Sequence, residues 1–264
     1  MQWRAILLIY MTQMVFGVIV AVAAYNSFSD AVGASLELDR LAYGFDRSVF
    51  SDMINEFPKL IPSIRSNFIG SLLAFLSISV FLHAALLGSI RNRKYKIPTL
   101  LRNGRLYFLN FLTIAIVALI KSAIVLSIIW IPFIKIVGDP LKTFHSEKPF
   151  ILTVIGLIVF SILLLSIIWL WSVLTRYHKV DGHNLVVAMK QGWTHLKSKF
   201  FQLFKIAITL ILLHVLLTYI YTLVVDDWGA QTWFCVLGLI LIQQVFSIIR
   251  VWIRVFGYTF LDYE

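Results

Sequence analysis

The chain has 264 residues, of which 60% are hydrophobic and only 14% charged, and its net charge is +10. A soluble globular domain carries roughly 45–50% apolar and about 25% charged residues, so this composition excludes one. Six membrane spans of roughly 20 residues each would use about half the length and leave no room for a separate catalytic domain. The surplus of Lys and Arg fits cytoplasmic loops that set topology and meet anionic headgroups, and it is not read as a nucleic-acid partner. The single cysteine, Cys235, falls inside an apolar run. That excludes an intrachain disulfide and a cysteine-based metal cluster.

Residues 5–24 form the first apolar stretch. It is longer than the roughly 7–15 residues of a signal-peptide core and its end is a weak cleavage site, so it reads as a retained span. Residues 26–67 follow as the one sizeable segment outside the membrane, with four basic and six acidic residues. Within it, 35–43 reads as a short helix stopped by Gly44. Asp46 then caps a second helix with Val49, Phe50, Met53, Ile54 and Phe57 on one face, ended by Pro58. These two helices are expected to form a small outer cap.

The second span is expected at 68–88. The connection 91–107 carries six basic residues (Arg91, Arg93, Lys94, Lys96, Arg102, Arg105) and no acid. The third span follows at 108–134, a mixed connection at 135–149, and a fourth, uncharged span at 150–171. The connection 172–199 holds five basic residues (Arg176, Lys179, Lys190, Lys197, Lys199) against Asp181 alone. The fifth span is expected at 200–225, an acidic turn at Asp226 and Asp227, and the sixth span at 230–249, closed by Arg250 and Arg254. Unbroken apolar runs of this length must be helices, because in hydrocarbon only a helix or a closed barrel satisfies its own backbone, and barrel strands would alternate. The fold class is therefore all-α: a polytopic bundle forming a single membrane domain over 1–264. The two basic connections are expected to be cytoplasmic, together with both termini.

The basic connections resemble each other. Ile97, Leu100 and Leu101 fall at helical spacing before Gly104 and Tyr107; Leu185, Ala188 and Met189 do so before Gly192 and Trp193. Arg102 and Arg105 mark the polar face of one, Lys190 and Lys197 that of the other. This is the pattern of amphipathic helices lying in the headgroup layer, and it makes spans three to four and five to six two copies of one hairpin unit. A parallel repeat is one way to build a transporter and an economical way to build any bundle.

Gly44, Phe45 and Asp46 after the first span, the run Arg105, Leu106, Tyr107, Phe108, Leu109, Asn110, Phe111 entering the third, and Gln243, Gln244, Arg250 and Arg254 in the last carry a resemblance. On these motifs the chain resembles a family of uncharacterised bacterial polytopic inner-membrane proteins. More loosely, through Ala188, Met189, Lys190, Gln191, Gly192 and Trp193, it is similar to the membrane domain attached to some glycerophosphodiester phosphodiesterases. The resemblance covers most of the chain. It implies a multi-pass protein of the bacterial inner membrane, with no hydrolase domain and no catalytic residue to carry over.

Lys121 is the sharpest anomaly, with twelve uncharged residues on either side. A charge at that depth costs at least ~2.5–3.5 kcal/mol on insertion scales, so it should face the bundle interior, unless it snorkels outward. His214 lies at a comparable depth in the fifth span, and the two together define a candidate intramembrane polar pocket. Gln13, His83, Gln243 and Gln244 define a second polar layer nearer the cytoplasm, of the kind that hydrogen-bonds helices together. Arg102, Arg105, Lys190, Lys197, Arg250 and Arg254 are the candidate headgroup contacts. His178, Asp181 and His183 match no strong zinc spacing, so neither a metal nor any cofactor is expected. No G-x-S-x-G, HExxH or glycine-rich phosphate loop is present.

The chain thus reads as a non-enzymatic integral membrane protein. It is permease-like or accessory, handling a lipid or small solute or supporting a membrane complex. A membrane-embedded enzyme acting on lipid headgroups and a purely structural subunit stand as alternatives. Its expected partners are membrane lipids, with another membrane protein left open. Reporters fused after Arg93 and after Lys179 are expected to behave as cytoplasmic, and those inserted near Asp39 or Asp227 as exported. A cytoplasmic reporter at Asp39 would reverse the topology.

Overall fold

A computed structural model describes residues 3–32, 60–138, 147–226 and 233–263. Among these residues it is helical apart from short turns and has no strand, with seven helices: α1 (Trp3–Val32), α2 (Leu60–Arg91), α3 (Ile97–Val137), α4 (Glu147–Val180), α5 (Leu185–Ser198), α6 (Phe200–Asp226) and α7 (Trp233–Tyr263). Six of the seven, all but α5, contain a stretch long and apolar enough to cross a membrane. The all-α polytopic bundle expected from the apolar runs is therefore the fold. The expected helices of the outer cap lie outside the described residues.

Contacts group the chain into two compact units, Leu7–Ser79 and Met1–Ile6 with Val80–Glu264. Within the first, Phe16 of α1 meets Phe75 of α2 edge-on at 5.8 Å. The second holds the candidate site. Its buried residues gather at the end of the spans that carries the basic connections: Ala84–Leu87 on α2, Leu100 and Phe111 on α3, Leu170–Leu174 on α4, Leu203 and Ala207 on α6, and Val251, Ile253, Val255 and Tyr258 on α7. Toward the opposite end the same helices present Ile120, Ile128, Leu216, Leu223 and Leu241 on their surfaces. A bilayer accepts such a surface without cost, since lipid tails are as apolar as leucine.

Helices α3 and α4 run antiparallel with matched contacts along their length. The Trp130 indole donates to Ser161 Oγ at 3.3 Å, Arg176 lies over the Phe111 ring at 5.6 Å, and the Tyr107 hydroxyl donates to the Val180 carbonyl at 3.5 Å. The turn from α2 into α3 closes with paired bonds, Arg93 N–H to Ile90 O and Lys94 N–H to Ser89 O, in the manner of a Schellman cap. It places Arg93 at φ 52, where a glycine would be free of the steric penalty.

The two basic segments differ in one respect. Ile97–Val137 is a single uninterrupted helix of 41 residues, so the first segment continues into its span; at 1.5 Å per residue it reaches about 60 Å, roughly twice the hydrocarbon thickness. The second is a separate helix, α5, parted from α6 at Lys199, where φ is −117 and ψ 27. The segments agree in how their glycines work. A Cβ at Gly104 would meet the Phe81 ring of α2 at 2.6–2.9 Å, and one at Gly192 would meet Thr175 of α4, its backbone nitrogen at 2.9 Å. Each glycine lets its basic segment press against the helix before it.

Phe81 offers a ring that can turn aside, but Thr175 offers backbone. Gly192→Ala is therefore expected to destabilise the detergent-solubilised protein by about 1–3 kcal/mol and Gly104→Ala by less. Gly156→Ala, with nothing within 4 Å of the added carbon, should be neutral or stabilising. Thermal unfolding of the three variants checks the order.

Candidate functional site

Helix α4 packs on α3, α5 and α6, and the polar groups of the spans collect around its final turns. Trp171 is almost fully buried and its indole donates to the Met189 carbonyl of α5 at 3.2 Å. The Lys121 ammonium of α3 sits over the face of this ring, 3.3 Å from its centroid. Such a contact is worth about 0.5–1 kcal/mol at an exposed site and ~2 kcal/mol or more when desolvated. Lys121 itself is exposed on the protein surface. Its charge is met by an aromatic face of the fourth span, and the pairing with His214 expected from their similar depth is not formed.

His214 instead lines a cleft of about 430 Å³ between α4, α6 and α7. The walls are apolar, with Leu165 of α4 facing Ala207, Leu210 and Ile211 of α6. Five side chains bring polar atoms: Ser166 and Trp169 of α4, His214 of α6, and Arg254 and Tyr258 of α7. His214 Nδ1 lies 2.8 Å from the Leu210 carbonyl. Because a carbonyl only accepts, that nitrogen carries the proton, which leaves Nε2 as the ring's free polar atom. Ile162 and Val215, also on the lining, are 43% and 60% exposed. The cleft therefore reaches the outer surface of the spans.

Tyr258 forms the junction between this cleft and the core. Its ring meets Trp169 at 6.2 Å and His83 of α2 edge-on at 5.6 Å, and its carbonyl accepts from the Tyr177 hydroxyl at 2.6 Å. The Tyr258 hydroxyl lies within electrostatic reach of both Arg176 and Arg254. Arg176 is 9% exposed, and its Nε has no hydrogen-bond partner among the described residues. Neither arginine has a carboxylate within ion-pair distance among those residues. A buried cation without a counter-charge costs several kcal/mol. Arg176 counts as a loop charge in a reading by hydropathy alone, but α4 runs to Val180 and carries it inside.

The remaining candidates are dispersed. Gln13 belongs to the other compact unit; Gln243 is exposed and Gln244 half-buried on α7. Arg102, Arg105 and Lys190 are exposed. Lys197 lies over Trp193 at 5.5 Å and Arg250 over Phe246 at 5.3 Å. The His178 ring meets His183 edge-on at 6.1 Å and His195 at a tilt at 5.6 Å. Asp181 makes a two-pronged ion pair with Arg91, at 2.7 and 3.2 Å, which ties the end of α2 to the turn between α4 and α5. Among the described residues no group of three His, Cys, Asp or Glu side chains is placed to hold a metal ion.

Hydropathy gives no sign of Trp169, Trp171, Arg176 or Tyr258 as site residues. The one available signal is that aromatic and basic residues share the last turns of spans four and six. Comparison with protein-family models, with curated proteins and with solved structures finds no match to this chain.

Docking of α5 is expected to depend on pH through His195. Burial, and then the Lys199 ammonium, hold its pKa below the usual value of 6.5. The unfolded chain therefore binds more protons than the folded one as pH drops below that value, and stability rises with pH across the window. Lowering pH from 7.5 to 5.5 should reduce the midpoint of thermal unfolding, and His195→Gln should shrink that change.

Proposed function

We propose that this protein is a non-enzymatic, permease-like or accessory membrane component that admits an amphiphilic, lipid-like molecule sideways from the bilayer into the cleft between α4, α6 and α7. The observation that carries this reading is the cleft's construction. Its walls are apolar, its rim at Ile162 and Val215 reaches the surface of the spans, and its polar groups are confined to Ser166, Trp169, His214, Arg254 and Tyr258. Sites for small molecules are mostly apolar concavities with a few placed polar groups, and ionisable side chains within spans mark the paths of substrates. A water-soluble solute would gain little from such walls, whereas an acyl chain gains on the order of 0.8 kcal/mol for each buried CH₂.

The same reading places the basic connections on the cytoplasmic face of a bacterial inner membrane, where Arg102, Arg105, Lys190 and Lys197 meet anionic headgroups. Six spans then put both termini on that side.

The test is a photoactivatable phospholipid, reconstituted with the full chain and mapped by peptide mass spectrometry. Labels should concentrate on residues 162–169 and 207–215. Ile211→Trp, which fills the cleft, should cut that labelling about tenfold while the protein still elutes as a folded species. Even labelling over all exposed apolar faces would sink the reading.

A further inference from the structure

The cleft ends on positive charge that nothing described in the protein neutralises. Arg254 lies on its wall, half-buried. Tyr258, whose hydroxyl is hydrogen-bonded to Trp169, lines the same cleft, and within electrostatic reach of that hydroxyl is Arg176, buried and with an orphaned Nε–H. Arginine cannot shed its proton to escape burial. A tyrosine and an aromatic face, the Phe111 ring at 5.6 Å, polarise toward a cation without cancelling it. Asp181, the acid nearest to Arg176 in sequence, is taken by Arg91.

We infer that the ligand of this cleft carries a phosphate, which contacts Arg254 and the Tyr258 hydroxyl directly, with Arg176 behind them supplying uncompensated positive potential. The inference rests on the lipid-like reading of the cleft and specifies its headgroup. Guanidinium groups match phosphate through parallel N–H bonds, and a phenol hydroxyl donates to the same oxygens. Charge-assisted bonds of this kind gain strength where water is scarce. The apolar walls would hold acyl chain, and the polar end the phosphate. Arg176 acts at a distance and is a positioning residue, so its loss should weaken binding less than loss of Arg254.

The lysine at 121 does not join this site, since its ammonium is committed to Trp171 at 3.3 Å. The histidines at 178, 183 and 195 lie around the α4–α5 junction and line no part of the cleft.

The experiment uses the full chain, purified in mild detergent and stripped of lipid, with three probes: phosphatidylglycerol, dioleoylglycerol, which has the same tails without phosphate, and inorganic phosphate. Native mass spectrometry and tryptophan fluorescence read binding. Phosphatidylglycerol should bind at least tenfold more tightly than dioleoylglycerol. Arg254→Gln should remove about tenfold of that preference, Arg176→Gln a smaller share, and Arg254→Lys should restore part of it. If either variant fails to fold, the comparison of the two lipids on the unaltered protein still decides.

Equal affinity for the two lipids, unchanged in Arg254→Gln, overturns the phosphate inference and leaves the cleft reading standing. Wild-type affinity for both lipids in Ile211→Trp overturns the cleft reading itself. Binding of inorganic phosphate with no binding of either lipid supports the anion site, shows its ligand to be soluble, and overturns the lipid headgroup.

Discussion

The structure depends on a mismatch between what the bilayer rewards and what it penalises. Hydrocarbon gives apolar side chains no reason to leave the helix surface, yet it tolerates no unpaired backbone and few unpaired charges. The first half of that rule leaves one end of the spans broadly exposed, with Ile128, Leu216 and Leu223 on the surface. The second half draws packing to the other end, where charges, indoles and small residues have to find one another. Most of the tight contacts are made there: Gly192 against Thr175, Gly88 against Asn103, and Gly257 against Leu210.

Helix α4 connects those contacts. Its last turns carry Trp169 toward the cleft, Trp171 toward Lys121 and Met189, Thr175 toward Gly192, Arg176 toward Phe111, and Tyr177 toward Tyr258. Five neighbours in nine residues leave this stretch little freedom to move. The Arg91–Asp181 pair adds a tie across the loops. Both its side chains are partly exposed, so its contribution is at most about 1 kcal/mol.

The two halves of the repeat show how one sequence pattern serves two ends. In the first, the basic segment runs on into α3 as one helix; in the second, a break at Lys199 turns α5 aside so that it packs along α4. Gly104 and Gly192 keep the same role in both. The cleft is shared between the copies: α4 of the first and α6 and α7 of the second leave space lined by Ala207 and Leu210.

The number of spans and their helical character were legible from composition alone, because a run of some 20 apolar residues has a single solution in hydrocarbon. Of the two amphipathic segments expected in the headgroup layer, the second is a helix of its own, whereas the first is the uninterrupted start of the spanning helix α3. The ends of the spans were less legible: α4 extends nine residues past the hydrophobic run that marks it, since a helix continues wherever packing replaces lipid. That extension carried Arg176 from an expected loop into the core. Lys121 stood out by its cost and was expected to face the bundle interior, but it is exposed on the surface of the spans, because depth along a span says nothing of which face of the bundle a side chain takes. The tertiary structure decided that Lys121 meets Trp171 while His214 joins Arg254 and Tyr258. Those choices depend on helix rotation and register, which are set by side chains far apart in the chain, as Arg91 and Asp181 or His83 and Tyr258 are. Hydropathy determines what enters the membrane; the packing of small and aromatic residues determines which polar groups meet inside it.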